Sequence, residues 1–343
     1  MTPSIALQDA EVRYGSHAAV QGATLRVAPG ELHVLLGRSG SGKTTLLRAM
    51  GGFERLSRGT LHLEGQLVDD AARVWTPPER RRLGVVFQDH ALFPHLDVSE
   101  NVRFGARHLG PAQVARWLER VGLAAYAKRP VAALSGGEQQ RVALTRALAT
   151  QPKIVLFDEP FASLDQGLRH ELRRTTLALL RQEQASAVFV THDPQEAFAL
   201  GDRLSVIHQS RLLQTGPPQE LYEAPASVEV ATALGDAQWV QAREDEGAAR
   251  AAWGCALPLR CAAPGATRAI LRPERLRFAA EAPSDGGPWT SLGSARLLHR
   301  RYQGAHLELE LEVAGTTLRA HARPTQDLPA QAQAWLEGSV ALV

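Results

Sequence analysis

Gly37-Arg38-Ser39-Gly40-Ser41-Gly42-Lys43-Thr44-Thr45 follows directly on the mostly apolar run Leu32 to Leu36. Its spacing is that of G-x-x-x-x-G-K-[ST], whose glycines let the backbone turn tightly so that several N–H groups converge on phosphate oxygens at the start of a helix. Lys43 would reach the β- and γ-phosphates, and the Thr44 hydroxyl would face Mg²⁺. The chemistry this segment specifies is the holding of a nucleotide's phosphates.

Residues suited to hydrolysis come later in the chain. Ile154-Val155-Leu156-Phe157-Asp158-Glu159 reads as a buried strand that ends in two carboxylates, and neighbouring side chains at a strand's C-terminal end can be aimed at different parts of one site. Asp158 suits the shell of Mg²⁺, and Glu159 suits the polarising of an attacking water. Ser135-Gly136-Gly137-Glu138-Gln139-Gln140-Arg141 forms a second helix start fit for an anion. It has no lysine of its own, which makes sense if it completes the ATP site of another subunit.

Leu134 to Arg141, together with the phosphate loop and Asp158-Glu159, resembles the ATP-binding cassette family, in which this signature follows a helical insert. Further residues match that pattern one by one. The resemblance implies that Gln88 touches Mg²⁺ and the attacking water, that Tyr14 stacks on adenine, that His192 contacts the γ-phosphate, and that Asp165 closes the D-loop. That loop departs from the family's usual form, reading Ala162-Ser163-Leu164-Asp165, where Ser then Ala is common in the first two places. Glu138 within the signature is a form often taken in importers.

The elements that must carry these residues are legible as texture. Leu32 to Leu36, Val85 to Phe87, Ile154 to Phe157, Ala187 to Val190 and Leu204 to Ile207 are short apolar runs with β-branched residues. They do not alternate with polar residues, as befits parallel strands covered on both faces. Leu168, Leu172, Leu179 and Leu180 trace one stripe of an intervening helix. This β-then-α rhythm predicts an α/β domain over residues 1–235, with a helical subdomain at about 94–150. Beyond Gly235 the texture changes: Leu307, Leu309, Leu311 and Val313 alternate with glutamates, and Ala314-Gly315-Thr316 offers a hairpin turn. A β-rich domain is expected over 236–343, resembling the OB-like (TOBE-type) regulatory domain of binding-protein-dependent importers.

Length and composition set the outer bounds. The chain has 343 residues, 44% hydrophobic and 22% charged, with a formal net charge of +2, which fits a two-domain globular protein and argues neither for nor against an anionic partner; with no basic stripe in view, no nucleic acid is expected. Cys255 and Cys261 match no zinc or redox spacing and are expected to be free thiols. The N-terminal residues do not read as a secretory signal, and no run approaches the length of a membrane span; any membrane crossing would belong to another chain. The segment Ala91 to Val102, with Ile270-Leu271-Arg272-Pro273-Glu274, resembles importer ATPases, and Phe53-Glu54, Pro77 to Arg81 and Leu92-Phe93-Pro94-His95 lean toward those for ferric iron. Polyamine, thiamine and sulfate importers are the alternatives, and a soluble, non-transport ATPase switch is a more distant one. The resemblance implies ATP and Mg²⁺, a homodimer, integral membrane permeases, an indirectly served substrate-binding protein, and a peripheral place on the cytoplasmic face of the plasma membrane.

Overall fold

The computed structural model describes residues 2–162, 164–283, 288–324 and 328–343. The chain forms two compact units that divide at Pro218/Gln219. In the first unit, β1 (Ile5–Tyr14), β2 (His17–Val27), β4 (Arg58–Leu63) and β5 (Gln66–Asp69) make an antiparallel sheet of order β2-β1-β4-β5. A second sheet has the order β10-β9-β3-β8-β7-β6, from β3 (Leu32–Leu36), β6 (Gly84–Val86), β7 (Ile154–Asp158), β8 (Ser186–Thr191), β9 (Arg203–His208) and β10 (Arg211–Gly216). Its strands run parallel except for the antiparallel edge β10. β3, β7 and β8 are buried at every position, as their unbroken apolar runs require.

Helix α1 (Lys43–Gly51) lies between the two sheets. Its Leu46, Leu47, Ala49 and Met50 share one core with Ile5, Leu7, Val20 and Leu25 on one side and Leu35, Leu156 and Val188 on the other. The helical subdomain expected at 94–150 contains α2 (Val98–Gly105), α3 (Pro111–Arg120) and α4 (Gly136–Leu148). Asp97 and Glu100 cap α2 reciprocally, each accepting the other's backbone N–H. The leucine stripe falls on α5 (Gln166–Gln182), where Leu172, Leu179 and Leu180 are buried, and α6 (Pro194–Leu200) follows β8.

The second unit takes in α7 (Pro218–Glu223) from its second residue and α8 (Val228–Ala233), because Ala231 packs with Ala237 and Ile270. The texture change near Gly235 thus falls inside this unit rather than at its start. β11 (Gln238–Asp245), β12 (Ala248–Ala251), β13 (Ala256–Ala262), β14 (Arg268–Leu271) and β20 (Val340–Leu342) close a five-stranded barrel, as an OB-like fold requires. β15 (Leu276–Ala279), β16 (Trp289–Tyr302), β17 (Leu307–Val313), β18 (Thr316–Ala322) and β19 (Gln331–Glu337) form a sheet that shares the barrel's apolar core. Leu307, Leu309, Leu311 and Val313 face that core. Val313 pairs with Thr316 across a two-residue turn whose Ala314 and Gly315 are both left-handed, the backbone of a type I′ hairpin. Cys255 and Cys261 are free thiols, both half-buried.

Candidate nucleotide site

The parallel register brings the C-terminal ends of β3, β8, β7 and β6 to one edge, the usual place for a ligand in an open α/β sheet. The phosphate loop leaves β3 there and enters α1 through Gly42 at φ 104°, a left-handed conformation that suits glycine. A side chain at Gly42 would put its Cβ 2.3 Å from the Ala19 carbonyl oxygen, and one at Gly37 would lie 2.3 Å from the Ile207 carbonyl oxygen. These two glycines therefore let protein backbone approach the loop from β2 and β9, beyond the tight turn read from the sequence. Arg38, Ser39 and Gly40 are exposed at the loop's crest, while Ser41 is buried.

Lys43 is buried, and its Nζ donates to the carbonyls of Gly37 (2.8 Å) and Arg38 (2.9 Å). Burial lowers its pKa, an effect opposed by the charges of Glu159 and Asp158. No side chain caps the start of α1, and the buried Ser41 hydroxyl has no partner. An uncapped helix N-terminus, an unpartnered hydroxyl and a held ammonium make a donor set suited to phosphate.

Thr44 Oγ1 donates to Asp158 Oδ1 at 2.9 Å, and burial raises the Asp158 pKa. A hydroxyl beside a carboxylate next to a phosphate cradle fits the oxygen-ligand chemistry of Mg²⁺. Glu159 follows with φ 44°, its N–H bonded to Val190 O at 3.1 Å; such a backbone costs about 1–3 kcal/mol at a non-glycine residue. Its Oε2 lies 3.0 Å from His192 Nδ1. Gln88, two residues past β6, is exposed at the same sheet edge, and Thr45 sits in the first turn of α1.

The Ser-Gly-Gly corner is built separately. Ser135 caps α4 and forms a reciprocal box with Glu138: its backbone N–H and hydroxyl both donate to Glu138 Oε2 at 2.8 Å. Those bonds lower the Glu138 pKa, the backbone one most. Ser135 and Gly136 are exposed, whereas Gly137 is buried, because a Cβ there would meet Leu168 of α5 at 2.2 Å. Gln139 donates to the carbonyls of Val131 and Leu134. Among the described residues, no hydrogen bond or ion pair joins Ser135 to Gln139 with Lys43, Thr44, Asp158, Glu159 or His192. Asp165 caps α5 through the Leu168 N–H, and Ser163 lies outside the described residues. Tyr14 is 47% exposed at the end of β1, and its pKa is raised, chiefly by burial and then by the neighbouring Glu54.

Two arginines whose structural part no motif announced complete the frame. The side chain of Arg81 is fully buried and donates to the carbonyls of Ala49 and Met50, closing the far end of α1. Arg146 of α4 donates to the carbonyls of His90 and Ala91, two left-handed residues just past Gln88.

A family model described as ABC transporter matches residues 20–162, and one described as TOBE domain matches residues 269–338. "Fe(3+) ions import ATP-binding protein FbpC 2" of Rhodococcus jostii (strain RHA1) is 40% identical over 304 residues, 87% of each chain. This chain belongs to the ATP-binding subunits of ABC importers. "Spermidine/putrescine import ATP-binding protein PotA" of Nitratidesulfovibrio vulgaris is 39% identical over 321 residues, 89% of this chain and 85% of that one. Among solved structures, cbiO1 from Clostridium perfringens, part of the ABC transporter complex cbiONQ, aligns with a TM-score of 0.58 at 25% identity, over 65% of this chain and 91% of that one. As an ABC importer subunit the chain binds ATP and is an ATPase coupled to transport. No helix among the described residues is long and apolar enough to cross a membrane.

Proposed function

We propose that two copies close head to tail, each ATP held between Gly37 to Thr45 of one and Ser135 to Gln139 of the other, and that this closure energises an importer for ferric iron. The carrying observation is that, besides the uncapped start of α1, the chain has an exposed Ser-Gly-Gly helix start at Ser135 that shares no bond with the Lys43 site. Lys43 and the loop N–H groups bind and orient the β- and γ-phosphates, with Asp165 beside the closing seam and Tyr14 stacked on the adenine. Glu159, its carboxylate steadied by His192 at 3.0 Å, takes the proton from the attacking water, while His192 and Gln88 orient that water and the γ-phosphate. Thr44 and Asp158, with Gln88, would hold Mg²⁺, which when bound offsets phosphate charge.

The partners in this reading are integral membrane permeases and, through them, a substrate-binding protein; the chain sits peripherally on the cytoplasmic face of the inner membrane. Iron as cargo is supported by relatives named for Fe(3+) import, and relatives named for spermidine/putrescine import support the second reading, polyamine. The test is ATP hydrolysis in vesicles carrying the neighbouring permease and a panel of loaded binding proteins. Stimulation by the ferric-loaded protein is expected; stimulation by the polyamine-loaded one alone would reassign the cargo.

A further inference from the structure

Past Gln88 the chain runs through two consecutive left-handed residues, His90 (φ 61°) and Ala91 (φ 47°), and one guanidinium holds both. Arg146 Nη1 donates to Ala91 O at 2.7 Å and Nη2 to His90 O at 3.0 Å. A planar fork on two successive carbonyls fixes their relative orientation, which a single-point donor such as lysine cannot do. The Arg146 guanidinium also covers the Phe93 ring at 5.5 Å. The loop after Gln88 is therefore fastened to α4 by both arms of one guanidinium and by its cover of Phe93. That loop begins at Gln88, exposed at the sheet edge from which the phosphate loop also leaves, and the helix is capped by Ser135, eleven residues before Arg146 or about 16 Å along the axis at 1.5 Å per residue.

We propose that Arg146 is a positioning residue that makes the Gln88 loop and α4 move as one body. Phosphate occupancy in one subunit then sets where that subunit presents its Ser135 corner to the twin's ATP. The two sites of a closed pair are thereby coupled through each chain's own arginine. This rests on the composite-site reading above.

The experiment is steady-state hydrolysis over a range of ATP by the full chain and by Arg146→Ala and Arg146→Lys, with melting temperatures recorded. ATP-driven self-association of Glu159→Gln is measured in parallel. The parent should be cooperative, with a Hill coefficient between 1 and the limit of about 2 set by two sites. Arg146→Ala should bring it to about 1 while half-saturating ATP moves less than about threefold. Arg146→Lys, which reaches one carbonyl, should fall between them and decides the matter if the alanine variant does not fold. A folded variant as cooperative as the parent overturns the proposal, as does a parent that dimerises with ATP but hydrolyses it without cooperativity. A chain that never self-associates with ATP removes the composite site itself.

Discussion

His192 Nδ1 stands 3.0 Å from Glu159 Oε2, a contact made across the ends of two parallel strands whose register pairs Asp158 with Val190. With its proton on Nδ1 the imidazole donates to one carboxylate oxygen, which leaves the other for a water. Glu159→Gln keeps the shape and removes the basicity. Single-turnover hydrolysis should fall by about 10²- to 10⁴-fold, the usual worth of a positioned general base, with ATP affinity retained in a separate binding measurement. Near-normal single-turnover hydrolysis would take Glu159 out of that role.

Tyr14 presents an exposed ring at the end of β1. Replacing the ring by alanine should weaken ATP by about 5- to 150-fold, corresponding to about 1–3 kcal/mol for an aromatic face on a base. Tyr14→Phe should keep most of the affinity. Equal losses in the two variants, measured by calorimetry on the Glu159→Gln background, would assign the effect to the hydroxyl instead.

Gly137 is buried against Leu168. Gly137→Ala forces that leucine aside and should cost about 1–3 kcal/mol, as overpacking does, or about 2–4 °C of melting temperature per kcal/mol for a unit of this size. Leu168→Ala should remove most of the penalty when the two are combined. Strictly additive melting shifts would show that the leucine is not what the new methyl meets.

Tyr222 donates to a Glu274 carboxylate oxygen, and burial together with that bond raises its pKa from 10.0 to about 12. A phenol whose pKa is raised on folding contributes stability that is fully present below pH 10 and is lost as pH rises through about 12. Denaturant unfolding of the chain and of Tyr222→Phe, compared from about pH 9 to about pH 12, should show the parent's advantage shrinking across that window. An advantage independent of pH would mean the tyrosine acts by packing alone.

Much of the site was legible because its chemistry is local in sequence. Lys43, Thr44, Asp158 and Glu159 sit at the ends of apolar runs with fixed spacing, and those runs do not alternate because β3, β7 and β8 are covered on both faces. The capping box of Ser135 and Glu138 was also written in the spacing S-x-x-E, though only its anion-facing side was drawn from it. What escaped was non-local. β1 pairs Ile5 with Leu63 and Leu7 with Leu61, and no window of a dozen residues contains both partners. The antiparallel sheet that packs on α1 was therefore not foreseen. Arg81 and Arg146 escaped for a different reason: their acceptors are backbone carbonyls, which every residue has, so the partner leaves no mark in residue type. The start of the second unit was hidden likewise, since α8 is assigned by where Ala231 packs, not by a change in composition at residue 219.

The carbonyls of Ala19 and Ile207, pressed close to Gly42 and Gly37, give the loop its contour from outside. In the proposed reading an arriving triphosphate would meet a mould already cast, with little of its association energy going into organising the receptor. Bulk at either glycine should consequently disturb the empty protein as much as the loaded one.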